Sequence, residues 1–224
     1  MPNAFLRFYT NAKYIMASSF INQIPAIIHL VQKLQPKTIL DIGKGFGKYG
    51  FLVHEYVGID NTKKVDPAKT LKEQSNLLID AIEIDADLML PHLQQIYNKV
   101  YLGDVLKIYE EMVKYEMVLM IDIIEHINKG QALQLLRYLI QQGSTIIIAT
   151  PIRYFKQELY ESEFERHISH WSEQDFKKLG YLSAQYFDAG AVYLLSAEKY
   201  NIRGFGNSFI KKIRRIARAI SNEL

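Results

Sequence analysis

Residues 38–50 read Thr38-Ile39-Leu40-Asp41-Ile42-Gly43-Lys44-Gly45-Phe46-Gly47-Lys48-Tyr49-Gly50. The first five form a short apolar run of the kind that fills a strand buried on both faces, and it leads straight into glycines at 43, 45, 47 and 50. Glycine permits tight turning and close approach of a ligand to the backbone, and a helix beginning there offers free N–H groups. Strand, glycine loop, helix is the order in which α/β folds build a ligand crevice. The spacing is GxGxG rather than GxGxxG, because Lys48 follows Gly47, so pyrophosphate cradling by a dinucleotide is less favoured.

Upstream of this stretch, Phe20, Ile21, Ile24, Ile27, Ile28, Val31 and Leu34 recur at helical spacing until Pro36, which predicts a helix from Ser19 to Gln35. Downstream, runs of strand length lie at 77–84, 99–102, 116–121 and 144–149, and helical patterns at 87–98, 105–114 and 131–141 separate most of them. Strands alternating with helices call for right-handed crossovers and a mainly parallel, doubly wound sheet. The last two runs, 181–187 and 191–197, are separated only by Asp188-Ala189-Gly190, too short for a crossover and suited to a hairpin. The expected fold is an α/β, doubly wound Rossmann-like sheet of seven strands, mostly parallel with a C-terminal antiparallel hairpin. Residues 1–36 are expected to form an N-terminal helical segment, 37–198 the main domain, and 199–224 a separate basic helix.

Composition narrows the function. The chain has 224 residues, 49% apolar and 23% charged, close to ordinary globular usage. It has no cysteine, which removes disulfides, thiolate zinc sites and cysteine nucleophiles together. The longest apolar stretches, such as 117–121 and 146–149, are far below the ~18 residues of a membrane span. The start, MPNAFLRFYTNAKY, lacks the pattern of a secretory signal, so a cytoplasmic location is expected. Residues 199–224 hold seven basic side chains and one acid, a charge of +6, whereas the other 198 residues carry 20 basic and 23 acidic groups, or −3. Such a body is not a general nucleic-acid binder by charge.

A ligand with a ribose needs an acid at the end of the second strand. Two stretches compete: Val57-Gly58-Ile59-Asp60 comes only 13 residues after Gly47, whereas Ala81-Ile82-Glu83-Ile84-Asp85 follows a stronger apolar run. Glu83 is the preferred acid, with Asp60 an ordinary acid of an insertion over 58–76. Asp104, in Gly103-Asp104-Val105 after the third strand, suits an acceptor for the exocyclic amine of a purine, and equally a cap for the helix that follows. Asp122-Ile123-Ile124-Glu125-His126 closes the fourth strand, where strand ends face the crevice.

In this order and spacing, DIGKGFG, AIEID, GDV, MIDIIEHI and IIIATP resemble class I S-adenosylmethionine-dependent methyltransferases, over roughly residues 38–198. The resemblance implies S-adenosylmethionine as cofactor and S-adenosylhomocysteine as product. It implies that Asp41 and the loop of Gly43, Lys44, Gly45 and Gly47 hold the methionine end. Glu83, with Ile84 beside it, would take the ribose hydroxyls, Asp104 the adenine amine, and Val105 the face of the adenine ring. Asp122 and Ile123 would line the methyl-transfer side. Lys44 stands where that family often has Cys or Ser, a place where backbone matters more than side chain, so tolerance is expected. The wider pattern GFGKYGFLV, AIEI and FERHISHWSEQDF is similar to bacterial methyltransferases of surface-polysaccharide and other carbohydrate pathways, implying a small-molecule or glycan acceptor.

Methyl transfer to a hydroxyl also requires loss of its proton. His126, His167 and His170 are candidate bases, with His167 preferred because it follows the fifth strand on the crevice side, and Glu125 stands beside His126. Arg153 and Tyr154 are candidates to orient an acceptor. Trp171 reads as packing beneath a helix whose start, Ser172-Glu173-Gln174-Asp175, has the form of a capping box. Asp122, Glu125, His126 and His167 or His170 also resemble the Mg-dependent RNA 2′-O-methyltransferases, with Asp122 standing where that family has its first Glu. A non-catalytic cofactor-binding partner subunit is the other alternative; no metal ligand is assigned in the preferred reading. C5-pyrimidine methylation is set aside for want of a cysteine, and DNA amino-methylation because the fourth strand is followed by DIIE. In the tail, Phe209, Ile210, Ile213, Ile216, Ala217 and Ile220 share one helical arc, with Lys211, Lys212, Arg214, Arg215 and Arg218 opposite. That pattern is compatible with peripheral contact at the inner face of an anionic membrane.

Overall fold

The structure is a computed structural model, and it describes residues 19–153, 163–202 and 205. The strands are β1 (Thr38–Ile42), β2 (Leu78–Glu83), β3 (Val100–Leu102), β4 (Met117–Ile121), β5 (Thr145–Pro151), β6 (Tyr181–Tyr186) and β7 (Gly190–Ser196). They form one sheet in the order β3-β2-β1-β4-β5-β7-β6. The first five strands run parallel, while β7 pairs antiparallel with both β5 and β6, as in Ile148 opposite Tyr193 and Ala184 opposite Tyr193. The seven-stranded Rossmann-like sheet with its terminal hairpin is thus present. Strand order reverses between β1 and β4, and in such sheets the ligand crevice opens at that switch point, outside the carboxyl ends of the strands.

Each face of the sheet carries its own core. On one side lie α1 (Ile24–Leu34) and α2 (Lys48–Val53), which bury Ile27, Leu30, Val31 and Val53 against Ile39, Ile79, Leu119 and Ile147. On the other, α5 (Lys129–Gln141) and the short helices α4 (Val105–Ile108) and α6 (Glu173–Phe176) pack Leu135, Leu136, Val105 and Phe176 against Leu40, Val118, Met120 and Ile146. α1 starts one turn later than the spacing predicts: Ile21–Gln23 is a 3₁₀ turn, Pro25 occupies the first turn of the helix, and Gln35 ends it in the left-handed conformation.

Two predicted helices are much shorter than expected. Over 87–98 there are only 3₁₀ turns, Ala86–Leu88 and Pro91–Gln95, because Pro91 has no N–H and forces Leu90 into an extended conformation. Over 105–114, α4 gives way to a 3₁₀ turn at Tyr109–Glu111 before the chain extends to Tyr115, whose hydroxyl donates to Asp80 Oδ2 at 2.6 Å. The insertion holds α3 (Leu71–Gln74), started by a Thr70/Glu73 capping box, and Asp60 there accepts from Thr62 in an exposed loop. The predicted basic helix at 209–220 and Tyr154 lie outside the described residues. Among those residues, no helix is long and apolar enough to cross a membrane.

Candidate active site

The β1–α2 loop turns through left-handed conformations at Gly43, Gly45 and Gly47, with φ of 70°, 53° and 82°. A side chain on Gly43 would overlap Ile123, and one on Gly47 would come within 2.8 Å of Leu93, so close packing excludes both. Gly45 is different: a Cβ there would meet nothing within 4 Å. Its face is open to the crevice.

Glu83, at the end of β2, looks onto that open loop and is almost fully buried. Its Oε1 accepts from the N–H groups of Ile84 (2.9 Å) and Asp85 (3.1 Å), and its Oε2 accepts from Gly45 N–H at 3.2 Å. Three N–H bonds from two loops hold the carboxylate in place. The backbone bond from Gly103 N–H to Glu83 O (2.7 Å) sets the next loop beside it, where Asp104 accepts from Leu106 N–H (2.9 Å) and so caps α4. Ile84 is partly exposed and Val105 buried, one on each neighbouring loop. Beneath the glycines, Asp41 accepts from the Tyr97 hydroxyl at 2.6 Å; burial still pushes its carboxyl up to about 6, against the pull of Tyr97 and Lys44.

The end of β4 supplies the other wall. Asp122 has a left-handed backbone (φ 52°), and both its carboxylate oxygens are buried without closing a hydrogen bond of ordinary geometry among the described residues. Burial pushes it up to about 6, while Lys48, Gln23 and the Phe20 backbone act the other way. The next turn, Ile124–His126, carries Glu125 and His126. Glu125 is 3% exposed; Oε2 accepts from the Thr150 hydroxyl at 3.0 Å, and Oε1 has no hydrogen-bond partner among the described residues. Burial first and the Asp122 charge second push Glu125 up to about 8, so it keeps its proton at neutral pH. Burial pushes His126 down to about 4. Its Nδ1 is 3.0 Å from the Arg166 carbonyl, which can only accept, so in the neutral ring Nδ1 bears the hydrogen and Nε2 the lone pair.

His167 reaches this turn from 41 residues away because residues 168–171 are pinned to it. Ile168 N–H and Ser169 N–H both donate to Glu125 O (2.9 and 3.0 Å), and Ser169 Oγ donates to Ile124 O (3.1 Å). Trp171 Nε1 donates to Ser169 Oγ (2.7 Å), and its ring stacks on Phe176 at 5.2 Å, with Ser172 and Asp175 closing the capping box of α6. Trp171 and Ser172 are therefore structural, as the sequence suggests. The rings of His126 and His167 stand edge to face at 5.0 Å, and Glu125, His126 and His167 each offer a ligand atom within 4.8 Å of the others. They can hold a divalent cation. His170 is not part of this cluster: its ring nitrogen bonds Ile152 O at 3.2 Å. Arg153 is exposed.

Four residues of the site were given no role by the sequence reading. Gln23, fully buried, and Lys48 flank Asp122; Thr150 bonds Glu125; and Glu165 lies near enough to Glu83, Asp85 and Glu125 for like charge to act among them. Lys48, Thr150 and Glu165 lie inside the stretches GFGKYGFLV, IIIATP and FERHISHWSEQDF, whereas Gln23 lies outside all of them. The crevice is acidic, with Asp41, Glu83, Asp85, Asp122, Glu125 and Glu165 around it and Lys44 and Lys48 as the cations among them. Such a lining suits a ligand with cationic groups and ribose hydroxyls.

No protein-family model and no curated protein sequence matches the chain. Solved structures do. The methyltransferase domain of bacterial CtHen1 is 15% identical, with a TM-score of 0.50 over 78% of this chain and 98% of that one. The N-terminal domain of EvdMO1 with S-adenosylhomocysteine bound is 11% identical, with a TM-score of 0.54 over 79% and 80%. An O-methyltransferase family protein from Burkholderia thailandensis is 10% identical, with a TM-score of 0.51 over 79% and 57%. At these identities the likeness is one of fold, and the chain has the Rossmann-like fold of the methyltransferases.

Proposed function

We propose that this protein is an S-adenosylmethionine-dependent methyltransferase that methylates a hydroxyl of a small-molecule or glycan acceptor. One observation carries the reading: Glu83, fixed against the open face of Gly45, shares a sheet edge with Asp122 and the His126–His167 pair. Glu83 and Ile84, Asp104 and Val105 fit the nucleoside, and Asp41, Asp122, Ile123 and the loop from Gly43 to Gly47 the amino-acid end. When bound, the cofactor supplies an electrophilic methyl on a sulfonium. The protein's task is to align the acceptor oxygen with it and to take the acceptor's proton. We assign His167 as base. His126, its Nδ1 tied to Arg166 O, presents a lone pair at Nε2 to orient the acceptor, and Glu125, protonated, can donate. The similarity in sequence pattern to carbohydrate-pathway methyltransferases supports the glycan class, and the −3 charge of residues 1–198 speaks against nucleic acid. The basic residues of 199–224 support peripheral contact with an anionic membrane from the cytoplasmic side.

A second reading is favoured by the Glu125 carboxylate, which gathers with two imidazoles and whose Oε1 has no hydrogen-bond partner among the described residues. Glu125, His126 and His167 would then hold a divalent cation, which would polarise the acceptor hydroxyl in place of a base. The test is calorimetric titration with S-adenosylmethionine and S-adenosylhomocysteine, beside Glu83→Ala and Asp104→Ala, then a methyl-transfer screen of nucleotide sugars and glycans with Mg²⁺, with Mn²⁺ and with chelator. Binding weakened by both substitutions, with turnover, is expected. Absence of binding to the wild type at millimolar ligand overturns the reading, and binding without turnover on any acceptor leaves the partner-subunit alternative.

A further inference from the structure

Lys44 is the residue of the glycine loop whose placement its sequence position does not foretell. A lysine in a surface turn ordinarily points to water. Here the side chain is wholly enclosed. Its Nζ donates to Leu88 O at 2.8 Å and to Gly45 O at 3.3 Å, and stands 3.7 Å from Glu83 Oε2. The ammonium thus bridges the loop after β1 and the loop after β2 across the floor of the crevice. It touches the same carboxylate oxygen that accepts from Gly45 N–H. Burial lowers its pKa, and the charges of Glu83, Asp41 and Asp85 oppose that shift only in part. Two carbonyls and a carboxylate around one nitrogen are the surroundings of an ammonium.

We infer that Lys44 is a charge-discriminating residue of the cofactor site, favouring the neutral, demethylated form of the cofactor over the cationic, methylated one. The inference rests on the methyltransferase reading. In methyl transfer the sulfur–methyl bond breaks with its electron pair staying on sulfur, an oxygen–methyl bond forms, and the acceptor proton leaves to the base. The cofactor therefore loses one positive charge and changes little in shape. In that reading the ribose that carries the sulfur would sit on Glu83, and Lys44 Nζ stands 3.7 Å from the Glu83 carboxylate, so a fixed cation there would act on the two forms unequally. Contacts that both forms share cancel from the ratio of their affinities; the Coulomb repulsion between Lys44 and the sulfonium does not. The same repulsion helps the reaction, since the positive charge near Lys44 is being removed in the transition state, and its absence in the product leaves that form the better bound.

The experiment compares dissociation constants of S-adenosylmethionine, S-adenosylhomocysteine and the cationic amine analogue sinefungin on the full chain for wild type, Lys44→Met and Lys44→Arg. Methionine keeps much of the volume without the charge, and arginine keeps the charge. In Lys44→Met the preference for each cationic ligand relative to S-adenosylhomocysteine is expected to rise about three- to tenfold, and in Lys44→Arg to stay within about twofold of wild type. Equal weakening of all three ligands in Lys44→Met would make Lys44 only a brace for Glu83 and overturn the inference, as would an unchanged ratio or loss of all binding by the folded variant. A wild type that binds none of the three would instead overturn the methyltransferase reading beneath it.

Discussion

At position 83 one carboxylate makes three hydrogen bonds to backbone N–H groups of two different loops, so its removal acts on structure and ligand at once. Glu83→Gln keeps the size but replaces one acceptor oxygen by an amide that cannot accept from N–H. We expect a cofactor dissociation constant at least tenfold weaker by calorimetry, with stability lower by about 1–2 kcal/mol. His167 lends itself to a cleaner separation. His167→Ala is expected to lower kcat by about 10²-fold or more with the cofactor KM little changed, because it removes a proton acceptor and no cofactor contact. His170→Ala is the control: its ring bonds Ile152 O away from the cluster, and turnover is expected within about twofold of wild type. Equal losses in both variants would move the base elsewhere. The placement of Asp41 near the end of β1, and of Glu83, Asp104 and Asp122 at or just beyond the ends of β2, β3 and β4, was legible in the sequence, because such acids interrupt or follow apolar runs. The place of Lys44 in the loop was legible too, but the burial of its side chain and of Gln23 was not, because whether a polar side chain in a turn faces water or a buried carboxylate depends on packing that residue spacing does not encode.

The sheet was legible almost residue by residue, since the parallel strands are short, mostly apolar runs between helical or loop segments and a three-residue link after Tyr186 admits only a hairpin. The helices over 87–98 and 105–114 misled because apolar spacing alone says nothing of Pro91, or of the pull of Tyr115 toward Asp80. What no local pattern shows is that residues 166–171 dock on the turn Ile124–His126. Those contacts run between segments some forty residues apart and hold His167 beside His126. Ser169 is the keystone of that docking, accepting from Trp171 Nε1 and donating to Ile124 O. Ser169→Ala leaves the indole with the longer bond to Ile124 O, 3.1 Å, alone. The expected cost is about 1–2 kcal/mol in urea unfolding. The expected rise in amide exchange lies at residues 168–171, with β1 and β4 unaffected. Exchange that rose equally over the whole sheet would show that the segment is part of the global core and not a separately attached wall.

Across the molecule, burial has set titratable groups around the crevice, Glu165, Lys44 and Lys48 among them, away from their ordinary values, and the consequence is a stability that depends on pH. Asp41 and Asp122 are pushed up to about 6 and Glu125 to about 8, whereas His126 is pushed down to about 4. A carboxyl with a raised folded value is most favourable to folding below its unfolded value, and that contribution is lost as pH rises through the folded one. For Glu125 the window runs from 4.5 to about 8. A histidine with a lowered folded value does the reverse, losing stability as pH falls from 6.5 to about 4. Below 6.5 the histidine and the carboxyls oppose one another; above 6.5 Glu125 acts nearly alone. Stability should fall between pH 6.5 and 8 with a slope no steeper than one proton, about 1.4 kcal/mol per unit, or roughly 4–6 °C in melting temperature over the interval. Glu125→Gln, an uncharged stand-in for the protonated acid, should melt at a temperature nearly level over the same range. The same titration discriminates between the two readings of the cluster. A divalent cation bound by Glu125, His126 and His167 requires the carboxylate ionised, so with Mn²⁺ present the wild-type slope should reverse and stability should rise with pH. A slope that Mn²⁺ leaves falling assigns the cluster to acid–base work, and a wild type already level without metal would place the Glu125 proton elsewhere.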